Sequence, residues 1–214
     1  MIKSITILLA GLILASCSGT SDPDPLQSKE LDWKTGDNQV FLIERHTDSD
    51  TTFLDTTYVM DASVIDGYYT LYWSSPAQQA RIRDGYYETR YDFDDVWDSW
   101  TSLARVPTTS GEVLYADTNS RSTKDGTPLG KFITECTTSS VDTTITVPAG
   151  TFRCMASVIV ELHLTDRTSS DRFERRNWYA PGIGFVQIEV FEVTLTGGRQ
   201  LRLQERIQLK SMLQ

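Results

Sequence analysis

From Val141 to Lys210 the chain alternates apolar and polar residues in runs separated by turn formers. This is the period of strands whose successive side chains point to opposite faces. The runs are Val141–Val147, Phe152–Thr165, Phe173–Tyr179, Phe185–Thr196 and Leu201–Lys210, divided by Pro148-Ala149-Gly150, Pro181-Gly182-Ile183-Gly184 and Gly197-Gly198. They predict an antiparallel ladder with one apolar face, curved into a half-barrel or barrel-like sheet. In the second run Phe152, Cys154, Ala156, Val158, Val160, Leu162 and Leu164 share the phase expected to be buried, with Arg153, Glu161 and His163 opposite.

In the last run Leu201, Leu203, Ile207 and Leu209 share one phase, and Glu205 falls among them. The run before it changes phase, from Val186, Ile188 and Val190 to Phe191, Val193 and Leu195. A three-residue connection 197–199 would pair Leu195 with Leu201 and Val193 with Leu203, while the far end requires Ile188 opposite Ile207. The two registers differ by one residue, so a β-bulge is predicted at Val190–Phe191, opposite Glu205. Glu205 then either enters a wet cavity or escapes to the rim at the bulge.

Between Val40 and Phe93 the pattern is again that of strands, rich in Val, Ile, Thr, Tyr and Trp. Asp66-Gly67 before Tyr68-Tyr69, and Asp84-Gly85 before Tyr86-Tyr87, each predict a tight hairpin, because a type I′ turn needs positive φ at both central residues. One helix is expected over Asp92–Ala104, where Phe93, Trp97, Trp100 and Ala104 recur at helical spacing behind acidic caps and Pro107 ends the pattern. Residues 108–128 read as a long irregular connection holding a short Glu112–Tyr115 strand. The fold class is therefore all-β, or mainly β with one short helix.

The first residues lie outside this fold. Lys3 precedes an apolar stretch, Ile5–Ala15, too short to cross a bilayer core of about 30 Å, and small residues follow, which marks residues 1–16 as a secretion signal. Leu14-Ala15-Ser16-Cys17 has the form of a lipobox, making Cys17 the lipidated first residue of the mature chain. Residues 17–30 then read as lipidated Cys and flexible tether, with Asp22-Pro23-Asp24-Pro25 inside it, and 31–214 as a single β-rich domain. Ser18 in place of an Asp after the Cys favours an outer-membrane address within the cell envelope.

Loss of Lys3 with the signal leaves 19 basic against 29 acidic side chains. So acidic a surface argues against nucleic acid as a partner, since such binding neutralises phosphates with Lys and Arg. Only His46 and His163 are present, too few for a zinc site built on several His, and no nucleophile elbow, phosphate loop or dinucleotide fingerprint occurs. The expectation is a protein that is not an enzyme and has neither metal nor cofactor. Cys136 and Cys154 could form a disulfide in an oxidising compartment or stay as two buried thiols. Arg167, Arg172, Arg175 and Arg176, interleaved with Asp166, Asp171 and Glu174, predict a neutralised, salt-bridged surface.

Two segments carry a family likeness: Val147-Pro148-Ala149-Gly150-Thr151-Phe152 with Cys154, and Trp178-Tyr179-Ala180-Pro181-Gly182-Ile183-Gly184 with Val186. Together they resemble the signature of uncharacterised bacterial envelope lipoproteins, β-rich single domains with relatives among lipoprotein-carrier-like half-barrels. Gln187 departs from that pattern, where a Lys is usual. The resemblance implies the fold and the location and supplies no catalytic residue. The function expected is a membrane-anchored binding or accessory module for an apolar ligand, whose lining residues would be Tyr69, Trp73, Trp178, Tyr179, Phe191, Leu203 and Glu205. The alternative is a structural or protein-interaction module of the envelope with no small-molecule ligand.

Overall fold

The computed structural model describes residues 26–27, 38–47, 50–65, 68–72, 78–93, 96–97, 100–122, 128–164, 170–194 and 198–213. The secretion signal, Cys17, Asp66-Gly67 and Trp73 lie outside them. Within them the chain is all-β and antiparallel. Its strands are β1 (Asn38–His46), β2 (Thr51–Ile65), β3 (Tyr68–Tyr72), β4 (Gln78–Arg83), β5 (Tyr86–Phe93), β6 (Val96–Trp97), β7 (Thr101–Arg105) and β8 (Val113–Ser122). Five longer strands follow: β9 (Pro128–Val147), β10 (Gly150–Leu164), β11 (Ser170–Ala180), β12 (Gly184–Thr194) and β13 (Gln200–Leu213).

Neighbouring strands run in the order β6-β5-β4-β3-β2-β1-β13-β12-β11-β10-β9-β8, with β7 on the free side of β5. All but one of the steps along this path join sequence neighbours. The exception is β1 against β13, which brings the two ends of the chain together in mid-sheet.

Turn chemistry explains several corners. Asp84 and Gly85 have φ of 52° and 81°, the two positive values a type I′ turn demands, and Arg83 pairs with Tyr86 around them. The β11–β12 corner uses Gly182 and Gly184, at φ 83° and 102°, to reverse the chain between Ala180 and Phe185.

The sheet curls until β7 lies against β10. Strand β7 has a sheet partner only in β5, so the Leu103 carbonyl is left for side chains to satisfy. Ser157 Oγ of β10 donates to it at 2.7 Å. Beside this tie the β7–β8 connection is laced to β9, with Gly111 N–H donating to the Thr138 carbonyl at 2.8 Å and Thr138 N–H to the Glu112 carbonyl at 2.9 Å. Arg105 pairs with Glu112 in the same clasp. Burial acts to raise the Glu112 pKa, but hydrogen bonds from Arg105, Thr108 and the Thr109 amide outweigh it and hold the carboxyl below its ordinary value.

Two apolar clusters form the core. One joins Ala80, Tyr87, Leu103, Ala104, Val106 and Leu114 to Cys136, Met155, Ile159 and Tyr179. Leu26 packs against this cluster, so the stretch read as a tether is held down at that point. The other joins Phe41, Val147, Cys154, Ala180, Val186 and Leu209, where the β9–β10 corner folds onto β13 and Ala149 N–H donates to the Leu209 carbonyl at 3.0 Å.

Four sequence expectations are corrected. The helix over Asp92–Ala104 is replaced, among the described residues, by the end of β5, β6 and β7, because Thr101–Arg105 pair with Tyr86–Thr89 and the aromatic and β-branched side chains favour a pleated surface. Much of 108–128 is strand rather than loop, since β8 runs to Ser122 along a 20-residue β9.

The bulge falls at Val190/Phe191 as predicted, but the extra residue is Gln204 of β13: Val190 pairs with Glu205 and Phe191 with Leu203. The cause is a five-residue connection, 195–199, with Thr194 pairing Gln200. The fourth concerns the phase of β10. The phase opposite to the expected one buries Met155, Ser157 and Ile159, while of the expected phase Cys154 and Ala156 are buried and Val158, Val160 and Leu162 only half-buried. Unpaired residues of β9 opposite Cys154–Ser157 break the alternation there.

Candidate functional site

Directly paired residues in an antiparallel sheet share a face, so the register gives the composition of each face. On the inner face one row across the strands reads Cys136, Ile159, Arg175, Val190, Glu205, Arg45. The adjacent row reads Thr138, Ser157, Asn177, Ile188, Ile207, Ile43. In the second row β9 to β11 contribute the buried polar residues Thr138, Ser157 and Asn177, and β12, β13 and β1 contribute isoleucines. The first row is mixed, with Cys136 and Ile159 buried, Arg175 half-buried, and a Glu205–Arg45 pair beyond Val190.

The polar part is a short network. Asn177 Nδ2 donates to Ser157 Oγ at 3.3 Å, and the Ser157 proton goes to the Leu103 carbonyl. This chain fixes the orientation of the amide and turns Asn177 Oδ1 away from Ser157. Both Asn177 Oδ1 and Arg175 Nε are buried without a hydrogen-bond partner. A buried polar atom left in that state costs about 1–3 kcal/mol.

The outer face carries charge in alternation: Glu44, Arg206, Glu189 and Arg176 form one row across β1, β13, β12 and β11. Arg206 binds Glu189 at 2.9 Å and Glu44 at 3.1 Å, and Gln208 donates to Gln187 at 2.7 Å in the next row. Glu174, almost fully buried, is clasped by both Arg176 and Arg199. Of the salt-bridged set expected on this hairpin, Arg176 and Glu174 pair, while Asp166, Arg167 and the Asp171 side chain lie outside the described residues. Arg175 departs from it, because its position in β11 turns it to the inner face.

Of the residues expected to line a ligand, those whose side chains are described do not converge on one place. Trp178 packs against the cluster of Phe41 and Leu209, whereas Tyr179 is buried in the other cluster, its ring centroid 5.0 Å from that of Tyr87. Phe191 and Leu203 pair on the outer face, and the Arg176 guanidinium lies 4.7 Å above the Phe191 ring. Glu205 keeps the inner phase, where it pairs with the exposed Arg45 at 2.6 Å. The side chain of Tyr69, in β3, is outside the described residues, as is Trp73.

Cys136 and Cys154 are free and buried. Cys136 pairs with Ile159 and Cys154 with Thr143, an offset of five residues along β10, or roughly 16 Å at about 3.3 Å per residue. That is far beyond disulfide reach. Burial pushes the Cys136 thiol up to about 11 and the Cys154 thiol to about 12, so both stay protonated and are poor nucleophiles at neutral pH.

Arg175, Asn177 and Ser157 were not singled out as a group by their sequence. A signal was present: Phe173 and Tyr179 bracket Arg175 and Asn177 in one phase of the same strand, which places two polar residues in an apolar row.

No protein-family model and no curated protein matches the chain. Two solved structures share its fold. One is a candidate exported protein with a YmcC-like fold from Bacteroides fragilis NCTC 9343, with TM-score 0.56 and 16% identity over 87% of this chain and 100% of that one. The other is a candidate lipoprotein from Parabacteroides distasonis ATCC 8503, with TM-score 0.52 and 13% identity over the same shares.

Proposed function

We propose that the chain is a lipoprotein of the cell envelope, anchored through Cys17, whose inner sheet face receives an apolar ligand. The leader and lipobox support the anchoring, and the exported and lipoprotein descriptions of the two structural neighbours agree with it. Ser18 after the Cys favours the outer membrane. The observation that carries the binding role is the aliphatic stretch of the inner face. Ile188, Val190 and Ile207 lie side by side on β12 and β13, next to Ile43 of β1, and of the four only Ile43 is closed over. An apolar concave surface with a few placed polar groups is the usual form of a small-molecule site. The role is that of a binding or accessory module, with no chemistry assigned to any residue.

The second reading is an interaction module without a small ligand. The filled cluster around Met155 and Tyr87, tied shut at Leu103, favours it. Native mass spectrometry of the protein extracted from its own membrane separates the two. The binding role predicts a co-purifying lipid-sized mass beyond that of the acylated chain. A bare acylated chain, or one bound only to another protein, supports the second reading.

A further inference from the structure

Among the described inward-facing charges of β10 to β13 and β1, two carboxylates are matched to arginines. Glu205 is held by Arg45, and Glu192, one row nearer the β12–β13 connection, is held by Arg202 with Gln204 donating to the same oxygen. Glu161 stands exposed in that outermost row, opposite Phe173. Arg175 makes no ion pair among the described residues. Its neighbours across the strands are Ile159 and Val190, its neighbours along β11 are Phe173 and Asn177, and its Nε is buried without an acceptor.

A guanidinium nitrogen buried without an acceptor is unfavourable, and the half-buried Arg175 side chain gains nothing in stability from it. The second unmet group lies two residues on, where the fully buried Asn177 turns Oδ1 toward no donor. Arg175 Nε and Asn177 Oδ1 therefore mark a place on the described inner face where two polar atoms of one strand are buried without partners. The aliphatic residues Val190, Ile188 and Ile207 begin immediately beside them.

Resting on the reading that the inner face takes an apolar ligand, we propose that Arg175 is the head-group anchor, and that the ligand is an acyl chain ending in a carboxylate. The guanidinium presents a planar fork that matches a carboxylate and always carries its charge. The chain of the ligand then crosses β12 and β13 toward β1, a span of about 14 Å at three strand spacings.

The test compares laurate with dodecanol, equal in chain length and different in head, binding to the full lipidated protein and to its Arg175→Met and Arg175→Lys variants. Laurate is expected to lose at least tenfold in affinity with Arg175→Met and to recover part of the loss with Arg175→Lys, while dodecanol changes less than twofold. Arg175→Met should melt no lower than the parent, since it removes an unpaired buried donor. A purely structural role predicts the reverse, a lower melting temperature and unaltered laurate binding. Equal binding of laurate and dodecanol, indifferent to the variant, overturns the anchor and leaves the apolar-ligand reading intact. Failure of both probes to bind the parent removes that reading as well.

Discussion

Cells grown with an alkyne analogue of palmitate are expected to label the parent chain and to leave Cys17→Ser unlabelled. When the leader is exchanged for one that is cleaved without lipidation and Cys17 is absent, essentially all of the protein should move to the soluble fraction. The magnitude follows from chain count. One acyl chain gives marginal, reversible binding, and two or more hold a protein on a bilayer. No described helix is long and apolar enough to provide an alternative anchor among the described residues. With a net charge of −9, the chain also has little electrostatic attraction to an anionic leaflet. Persistent membrane association of the unlipidated, leader-free chain would contradict the proposed anchoring.

The second large effect concerns stability. Met155 has no exposed surface and sits between the two halves of the curl, so Met155→Ala should cost about 2–5 kcal/mol. That is a large part of the ~5–15 kcal/mol that holds a typical domain together. Val160, five residues on and half-buried on the outer face, should cost about 1 kcal/mol when cut to Ala. Urea unfolding of the two variants checks the order. A greater loss for Val160→Ala would restore the phase that alternation alone predicts for β10 and undo the assignment of its inner face.

That phase shows where sequence reading ran out. The alternation of Phe152 to Leu164 is genuine, but it assumes an unbroken ladder and a core that prefers valine to serine. Ser157 is buried because β7 ends the sheet with a free carbonyl at Leu103, a tertiary circumstance that no local pattern carries. The register conflict between β12 and β13 was legible from Val190 and Phe191. Which strand held the extra residue was not, because it depends on the length of the 195–199 connection.

Asp84-Gly85 was the most local signal and gave its hairpin directly. Helical spacing of Phe93, Trp97, Trp100 and Ala104 misled because four positions fit a helix as well as two short strands, and the pairing of Thr101–Arg105 with β5 decided between them. For the candidate site, Trp178 and Tyr179 looked like parts of one lining, yet Tyr179 is buried in one cluster and Trp178 packs half-buried against the other. Arg175 looked like one more surface cation in a charged hairpin. Its direction follows from its pairing with Ile159 and Val190, which only the assembled sheet reveals.

Methyl-resolved NMR of the protein titrated with laurate addresses the central claim most directly, since inner and outer residues alternate along the same strands. Binding in the curl predicts concentration-dependent shifts at Ile159, Ile188, Val190 and Ile207, with Val158, Val160 and Leu203 unmoved. Shifts confined to Val158, Val160 and Leu203, or none at any of the seven, would contradict it.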